Sequence, residues 1–491
     1  MSIFDEIRFV SNNETFYKMF IDGNWVESSN KQTFEVRNPH DNSLVGKVQK
    51  ATQEDAEKAV QAAFNSKGKI ASMSALDRGN LLLKIAELLE QNKDEIIKIL
   101  IDESGKIGKD ANGEIDASIT RLRYAAEEAK QLGGELIKGD YAPHGKGQIG
   151  MVVRQPLGVI LAVTPFNYPI FTAIAKIAPA IAGGNSLVVK PASDDPICLL
   201  LVTIVMQEAG IPPGVINVIT GSGSEIGDYL ASHEKIDMIS FTGSTFVGRH
   251  MASVAGMKRL QLELGGKGAG IVLGDADLNL AVKECAKGAL KFSGQRCDAI
   301  SRVLIVNPVA DNFVNMMVEE VKNWKLGDPK DPNTVIGPLI NERAAQKVEE
   351  LVNDAINKGA KILLGGKRNG LYFEPTVLDF VNKEMRIAWE ETFGPVVTVI
   401  RVNDYEEAIR IANESNYGLD SCIFTNDIDK ALDASQRIEC GSVHINSHPT
   451  HGVGAFPFGG DKDSGLGREG IKYSIEEMTK THTIVYHPRE G

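Results

Sequence analysis

The side chain best placed for chemistry is Cys297, which closes the segment FSGQRC (residues 292–297) in a loop expected between a helix and a strand, beside Arg296. A neighbouring cation and local backbone N–H groups lower a thiol pKa and supply a thiolate nucleophile. A loop cysteine beside arginine is also a common structural residue. Glu263 lies in RLQLELGGK, where Leu260, Leu262 and Leu264 alternate with Gln261 and Glu263. A strand there turns the carboxylate away from the leucines, either into solvent or into a cleft as a general base. Asn167, in the loop TPFNYP (164–169) after an apolar run, carries an amide able to donate to an oxyanion; an ordinary turn asparagine has the same setting. The other cysteines, Cys198, Cys285, Cys422 and Cys440, are widely spread with no CxxC pair. That fits neither a disulfide framework nor a zinc site, so reduced thiols are expected.

A second group of positions offers phosphate chemistry. Helix starts are expected just after Thr164 and Pro165, after Lys190 and Pro191, near Gly221 to Gly223, and after Thr242, Gly243 and Ser244. In parallel α/β folds the free N–H groups and dipole of such helix starts favour a phosphate. These loops are glycine-rich for structural reasons too, and the GxGxxG spacing is absent, so alone they leave a nucleotide site open. GGKGAG and GGKRNG fail the last position of a P-loop and no GxSxG occurs, which disfavours P-loop phosphotransferases and the serine hydrolase elbow. His444, His448 and His451 lack the HExxH pattern and nearby carboxylates of a metal site.

The elements that must position these residues read as two α/β blocks behind a helical layer. Residues 51–132 carry helical periodicity in EDAEKAVQAAF, RGNLLLKIAELLEQ and ASITRLRYAAEEAKQL. From Gly158, short apolar runs (GVILAV, SLVVK, VINVIT, DMISF) alternate with helices at 170–182, 196–209, 224–232 and 245–254, the pattern of a parallel sheet covered on both faces. A second alternation begins with a helix at 278–291 and the strand SRVLIV and ends with SVHIN. MVVRQ and THTIVYHP lie outside both runs and read as strands that pair with each other or with another subunit. The chain has 491 residues, 43% hydrophobic and 24% charged, enough for two or three domains with large cores. A net charge of −12 without a basic run disfavours nucleic acid as a partner. No apolar run reaches bilayer length and the start MSIFDEIRFV has no basic-then-apolar signal, so a cytoplasmic location away from membranes, with a small-molecule partner, is expected.

Taken together the motifs resemble the aldehyde dehydrogenase superfamily from about Phe20 to the end: TPFNYP, VVKPAS, FTGST, LELGGK, GQRC, EETFGP and PFGGDKDSGLGREG occur in the family's order. The resemblance implies an α/β fold with a Rossmann-type cofactor domain (1–132 and 152–264), an α/β catalytic domain (265–445) and a small β oligomerisation or bridging segment (133–151 and 446–491). It implies NAD(P)-dependent oxidation of an aldehyde to a carboxylate through a thioester on Cys297, with Glu263 as general base and Asn167 and the Cys297 N–H as oxyanion donors. It brings Thr164, Pro165, Lys190, Ser193, Gly223, Phe241, Gly243, Ser244, Glu391 and Phe393 to the cofactor. Lys190 and Glu391 then meet ribose hydroxyls, Ser244 the pyrophosphate, and Phe393 the nicotinamide.

Ser193 stands where NAD-preferring members often carry a glutamate; serine leaves room for a 2′-phosphate near Lys190, which favours NADP, with NAD left open. Asp194 and Asp195 follow and oppose that charge. YAAEEAK, FNYPI, GQRCDAI and VHINSHPTHGVGAFPFGG look most like the non-phosphorylating glyceraldehyde-3-phosphate dehydrogenases, which convert that aldehyde to 3-phosphoglycerate. Arg296 and Tyr168 match phosphate-binding positions of that group. Ala117 and His451 stand where it has two further arginines, with Arg121 and Arg123 one turn away as substitutes. Lactaldehyde, glyceraldehyde and succinate semialdehyde therefore stay open as substrates. A coenzyme-A-acylating relative is disfavoured by Glu263. A cysteine acyl-transfer enzyme has no need of the nucleotide-type loops, and no histidine lies close in sequence as its base. The leftover strands point to a homodimer or homotetramer.

Overall fold

The computed structural model describes residues 3–452 and 454–488; the tips of the expected terminal segments, 1–2 and 489–491, and position 453 lie outside the described residues. The apolar runs after Gly158 become strands because β-branched residues buried on both faces suit the interior of a parallel sheet. The sheet they build has eight strands in the order Gly465–Leu466, Arg259–Glu263, Met238–Thr242, Val159–Val163, Ser186–Lys190, Ile216–Val218, Met19–Ile21 and Asn24–Val26. The second to sixth of these run parallel, and the direction of winding reverses between Val159–Val163 and Met238–Thr242. The crevice at the strand C-termini beside such a reversal is where open α/β sheets bind ligands. The helix Pro169–Gly183 is buried along its whole length, with the helix Gly108–Gln131 packed on it.

A second sheet runs Lys361–Leu364, Thr376–Asp379, Val396–Val402, Ile300–Val306, Gly268–Val272, Asp420–Phe424 and Ser442–Ile445, parallel except at the first pair. Its interior strand Gly268–Val272 escaped the periodicity reading, which started this block with a helix, because KGAGIV has little β propensity. Burial decides instead: a Cβ on Gly268 would stand 2.9 Å from the Ala299 carbonyl oxygen, so only glycine lets the neighbouring strand close in.

MVVRQ and THTIVYHP pair with each other. Thr479–Tyr486 runs antiparallel to Ile149–Pro156, which also pairs with Glu135–Lys138. Two expected boundaries need correction. The strand Ile149–Pro156 crosses the one drawn at 151/152, because its partner strand pairs with it over its full length. The stretch 446–491 is not one arm: Gly465–Leu466 joins the first sheet beside Arg259–Glu263, and the helix Ile471–Glu477 packs on Pro169–Gly183.

Candidate active site

Cys297 sits at the exit of a tight turn in which Phe292, Ser293 and Gly294 have φ of 51°, 55° and 69°. The turn presses against the loop before Val396–Val402 so closely that a Cβ on Gly294 would lie 2.0 Å from the Gly394 oxygen. Asn167 arrives from the first sheet, in the loop before Pro169–Gly183. That helix start is tied down by Glu114, whose Oε1 accepts from the N–H groups of Ile170 (2.9 Å) and Phe171 (3.1 Å). Lys106 pairs with the other Glu114 oxygen and donates to the Asn167 carbonyl at 2.7 Å. The Asn167 amide donates to the Gln295 carbonyl at 2.9 Å. One of its two N–H bonds is thereby used, which fixes the amide and leaves the other for a ligand.

Between the two sheets, at the winding reversal, lies a cavity of about 480 Å³. Its walls are Thr164, Pro165 and Asn167 from the loop after Val159–Val163, Phe241 to Ser244 at the end of Met238–Thr242, Cys297, and Glu391 to Phe393. The N-terminus of the helix Thr245–Val254 opens there, with the Ser244 hydroxyl accepting from the Val247 N–H at 3.4 Å. Phe393 meets Phe166 edge-on, ring centres 5.8 Å apart.

The electrostatics differ from expectation at Cys297. Burial and four carboxylates, Asp298, Asp420, Glu391 and Glu263, push its thiol well above the usual range. Arg296 does not offset them, because it lies 2.9 Å from Asp298 and donates to the Pro449 carbonyl at 3.0 Å. The expected activation of the thiol by its sequence neighbour is therefore corrected: the guanidinium is neutralised by the carboxylate two residues on. Glu263 is 2% exposed, which removes the solvent-facing alternative. Among the described residues neither of its oxygens has a hydrogen-bond partner, and burial, then Glu469, holds its carboxyl well above the usual range.

The model of the aldehyde dehydrogenase family matches residues 25–484. The chain is 43% identical over 471 residues to an NADP-dependent glyceraldehyde-3-phosphate dehydrogenase of Streptococcus equinus, covering 96% of this chain and 98% of that protein. It is 41% identical to a lactaldehyde dehydrogenase of Methanococcus aeolicus, covering 96% of this chain and 100% of that protein. The crystal structure of a Bacillus halodurans NADP-dependent glyceraldehyde-3-phosphate dehydrogenase complexed with NADP superposes with a TM-score of 0.94 at 42% identity, over 96% of this chain and 98% of that one. The chain belongs to the aldehyde dehydrogenase family.

In this aldehyde dehydrogenase the cavity gathers Cys297, Asn167 and, of the expected cofactor positions, Thr164, Pro165, Phe241, Gly243, Ser244, Glu391 and Phe393. Lys190, Ser193 and Gly223 lie outside its lining. Lys190 is buried at its strand end, donates to the Pro191 carbonyl at 3.2 Å, and is lowered to about 8 by burial. Ser193 is exposed and donates to the Gly221 carbonyl at 3.0 Å, and Gly223 opens the helix Gly223–Ser232. Asp195 is buried, and burial, then Glu103, pushes its carboxyl well above the usual range. Sequence reasoning missed Asp194 as a cavity residue held by Asn341 at 2.9 Å, and Arg343 and Lys347 beside it. The four-residue spacing of Arg343 and Lys347 marks one helix face, but nothing local says that this face meets the other domain.

On the substrate side the two proposed substitutes separate. Arg123 is exposed and pairs with Glu90, so it cannot reach the site; helix periodicity turns it away from Arg121. Arg121 is fully buried under the Phe171 ring, 4.0 Å from its centre, and none of its three guanidinium nitrogens has a hydrogen-bond partner among the described residues. One nitrogen of Arg296, Nη1, is likewise unpartnered. Tyr168 packs edge-on against Phe171 and Phe292. Ala117 is half-buried on the same helix as Arg121, and the His451 ring nitrogen Nε2 lies 4.0 Å from the Cys297 sulfur.

Proposed function

We propose that this enzyme oxidises a short aldehyde carrying a distal anion, with glyceraldehyde 3-phosphate as the leading candidate, to the carboxylate with NADP, without incorporating phosphate. The observation that carries the reading is the buried guanidinium of Arg121 together with Nη1 of Arg296, neither with a hydrogen-bond partner among the described residues. Buried donors without acceptors cost about 1–3 kcal/mol each unless a ligand supplies the acceptor, and guanidinium suits phosphate and carboxylate oxygens. Tyr168 and His451 are the further substrate-side residues.

Cys297 adds to the aldehyde carbon, and the oxyanion receives the free N–H of Asn167 and the Cys297 backbone N–H. The bound nicotinamide supplies the two-electron oxidation by accepting a hydride. Glu263, its proton affinity raised by burial and Glu469, takes a proton from the water that cleaves the thioester. Lys190, with no glutamate at Ser193 to compete, would hold the 2′-phosphate and ribose. The helix start at Ser244 suits the pyrophosphate, Glu391 the other ribose, and Phe393 the nicotinamide; Thr164, Pro165, Phe241, Gly223 and Gly243 shape the walls. NAD fits the same residues less one charge.

Initial rates of NADPH formation with glyceraldehyde 3-phosphate, lactaldehyde, glyceraldehyde and succinate semialdehyde test this. The phosphorylated aldehyde should lead in kcat/KM by about tenfold or more, roughly 1.4 kcal/mol of transition-state preference. Arg121→Met should remove that lead, costing about 100-fold on the anionic substrate and little on lactaldehyde. A wild-type preference for lactaldehyde would establish the second reading, which the Ala117 and His451 positions favour. The five unpaired cysteines support a reducing, cytoplasmic setting. The exposed three-stranded sheet supports assembly into a dimer or tetramer.

A further inference from the structure

We propose that His451 is the base that takes the proton of the Cys297 thiol, oriented for that role by Asp298. The inference rests on Cys297 being the nucleophile and is independent of which aldehyde is oxidised. His451 Nε2 stands 4.0 Å from the Cys297 Sγ, and its Nδ1 stands 3.2 Å from Asp298 Oδ2. A carboxylate on Nδ1 holds the proton there and turns the Nε2 lone pair toward the sulfur. The ring is fixed from two sides, stacked on Phe458 at 3.7 Å between centres and edge-on to Phe171 at 5.7 Å. Catalytic contacts at the long end of the hydrogen-bond range tighten when substrate binds.

The surroundings explain why a separate base is needed. Facing the thiol are Asp298 and Arg296 from its own loop, Asp420 from the strand Asp420–Phe424, Glu391 from the loop before Val396–Val402, and Glu263 from Arg259–Glu263. Facing the imidazole are Asp298 and Glu469, the latter paired with Lys176. The carboxylates disfavour a thiolate, and Arg296 is already paired with Asp298. Neither oxygen of Glu263 is hydrogen-bonded to the sulfur. The imidazole Nε2 is the acceptor left within reach of the sulfur. In the step, the S–H proton passes to Nε2 as the S–C bond forms and the carbonyl electron pair moves to oxygen. When water cleaves the thioester, the departing sulfur recovers that proton from the imidazolium, so His451 ends neutral and Glu263 handles the proton of the water.

The test is the rate of Cys297 alkylation by iodoacetamide against pH, without aldehyde or cofactor, in wild type, His451→Gln, His451→Ala and Glu263→Gln. His451→Gln should slow alkylation at pH 7 by about tenfold and move its midpoint up by about one pH unit. Millimolar imidazole should restore the rate in His451→Ala, which a packing role would not allow. Glu263→Gln should not raise the midpoint. An unmoved midpoint in His451→Gln, or a rise confined to Glu263→Gln, overturns the proposal, as does failure of imidazole to rescue His451→Ala. Cys297→Ala, which should abolish dehydrogenase activity, checks the underlying nucleophile separately.

Discussion

At the scale of single residues, the site holds buried polar side chains that lack hydrogen-bond partners among the described residues. Glu263 is buried with both oxygens unpartnered, and its pKa is raised above the ordinary 4.5. Its protonated form therefore favours the native state below that value, and the contribution is lost as pH climbs from 4.5 through the raised folded pKa. Glu263→Gln should accordingly melt higher than wild type at pH 7 to 8, by about 1–3 kcal/mol, with the gap closing near pH 4. The same variant should release one burst of NADPH per site and then stall, its steady-state rate reduced about 10²–10⁴-fold, because the thioester forms but water is not activated. A full steady-state rate in stopped-flow and multiple-turnover assays would remove Glu263 from the hydrolytic role. The candidate residues Cys297, Glu263 and Asn167 could be singled out in the sequence because their types and motif settings are local. The charge state of Cys297 could not, since three of the four carboxylates that set it come from distant segments.

At the scale of elements, what holds the catalytic loops is a set of buried contacts between helices and turns. Glu114 of Gly108–Gln131 caps the start of Pro169–Gly183 and pairs with Lys106, which in turn holds the Asn167 carbonyl. Glu114→Gln leaves Lys106 as an unpaired buried cation and should cost about 3–5 kcal/mol in urea unfolding. The surviving folded enzyme should show reduced kcat as the Asn167 loop loosens. The turn before Cys297 depends on Gly294, whose φ is 69° and whose Cβ position is filled by the Gly394 oxygen at 2.0 Å. Gly294→Ala should destabilise by about 2–4 kcal/mol and lower activity by displacing Cys297; an unchanged melting temperature would show that the loop can yield. Element types followed from periodicity through most of the chain. Gly268–Val272 did not, because its strand conformation is imposed by the neighbours between which it is buried.

At the scale of the whole molecule, the cavity lies at the winding reversal of one sheet and is closed by residues of the other. The three-stranded sheet stands outside both. Register places Leu136, Met151 and Ile484 side by side across its strands, 65%, 41% and 45% exposed. An apolar row beside open strand edges is a surface that assembled proteins cover. Ile484→Asp should therefore shift the sedimentation coefficient toward monomer while leaving far-ultraviolet circular dichroism unchanged. Sedimentation of the wild type as a monomer at micromolar concentration would reject the assembly role.

The sequence by itself determined the family and the two α/β blocks, and singled out Cys297 as the candidate nucleophile, because motifs and periodicity are properties of contiguous residues. The tertiary structure alone decided that Arg121 is buried without a hydrogen-bond partner among the described residues while Arg123 is spent at the surface, and that Arg296 is neutralised by Asp298. It also brought His451 to the sulfur of a cysteine 154 positions away. Those outcomes depend on which groups share a low-dielectric space, and that is settled only when distant segments pack together.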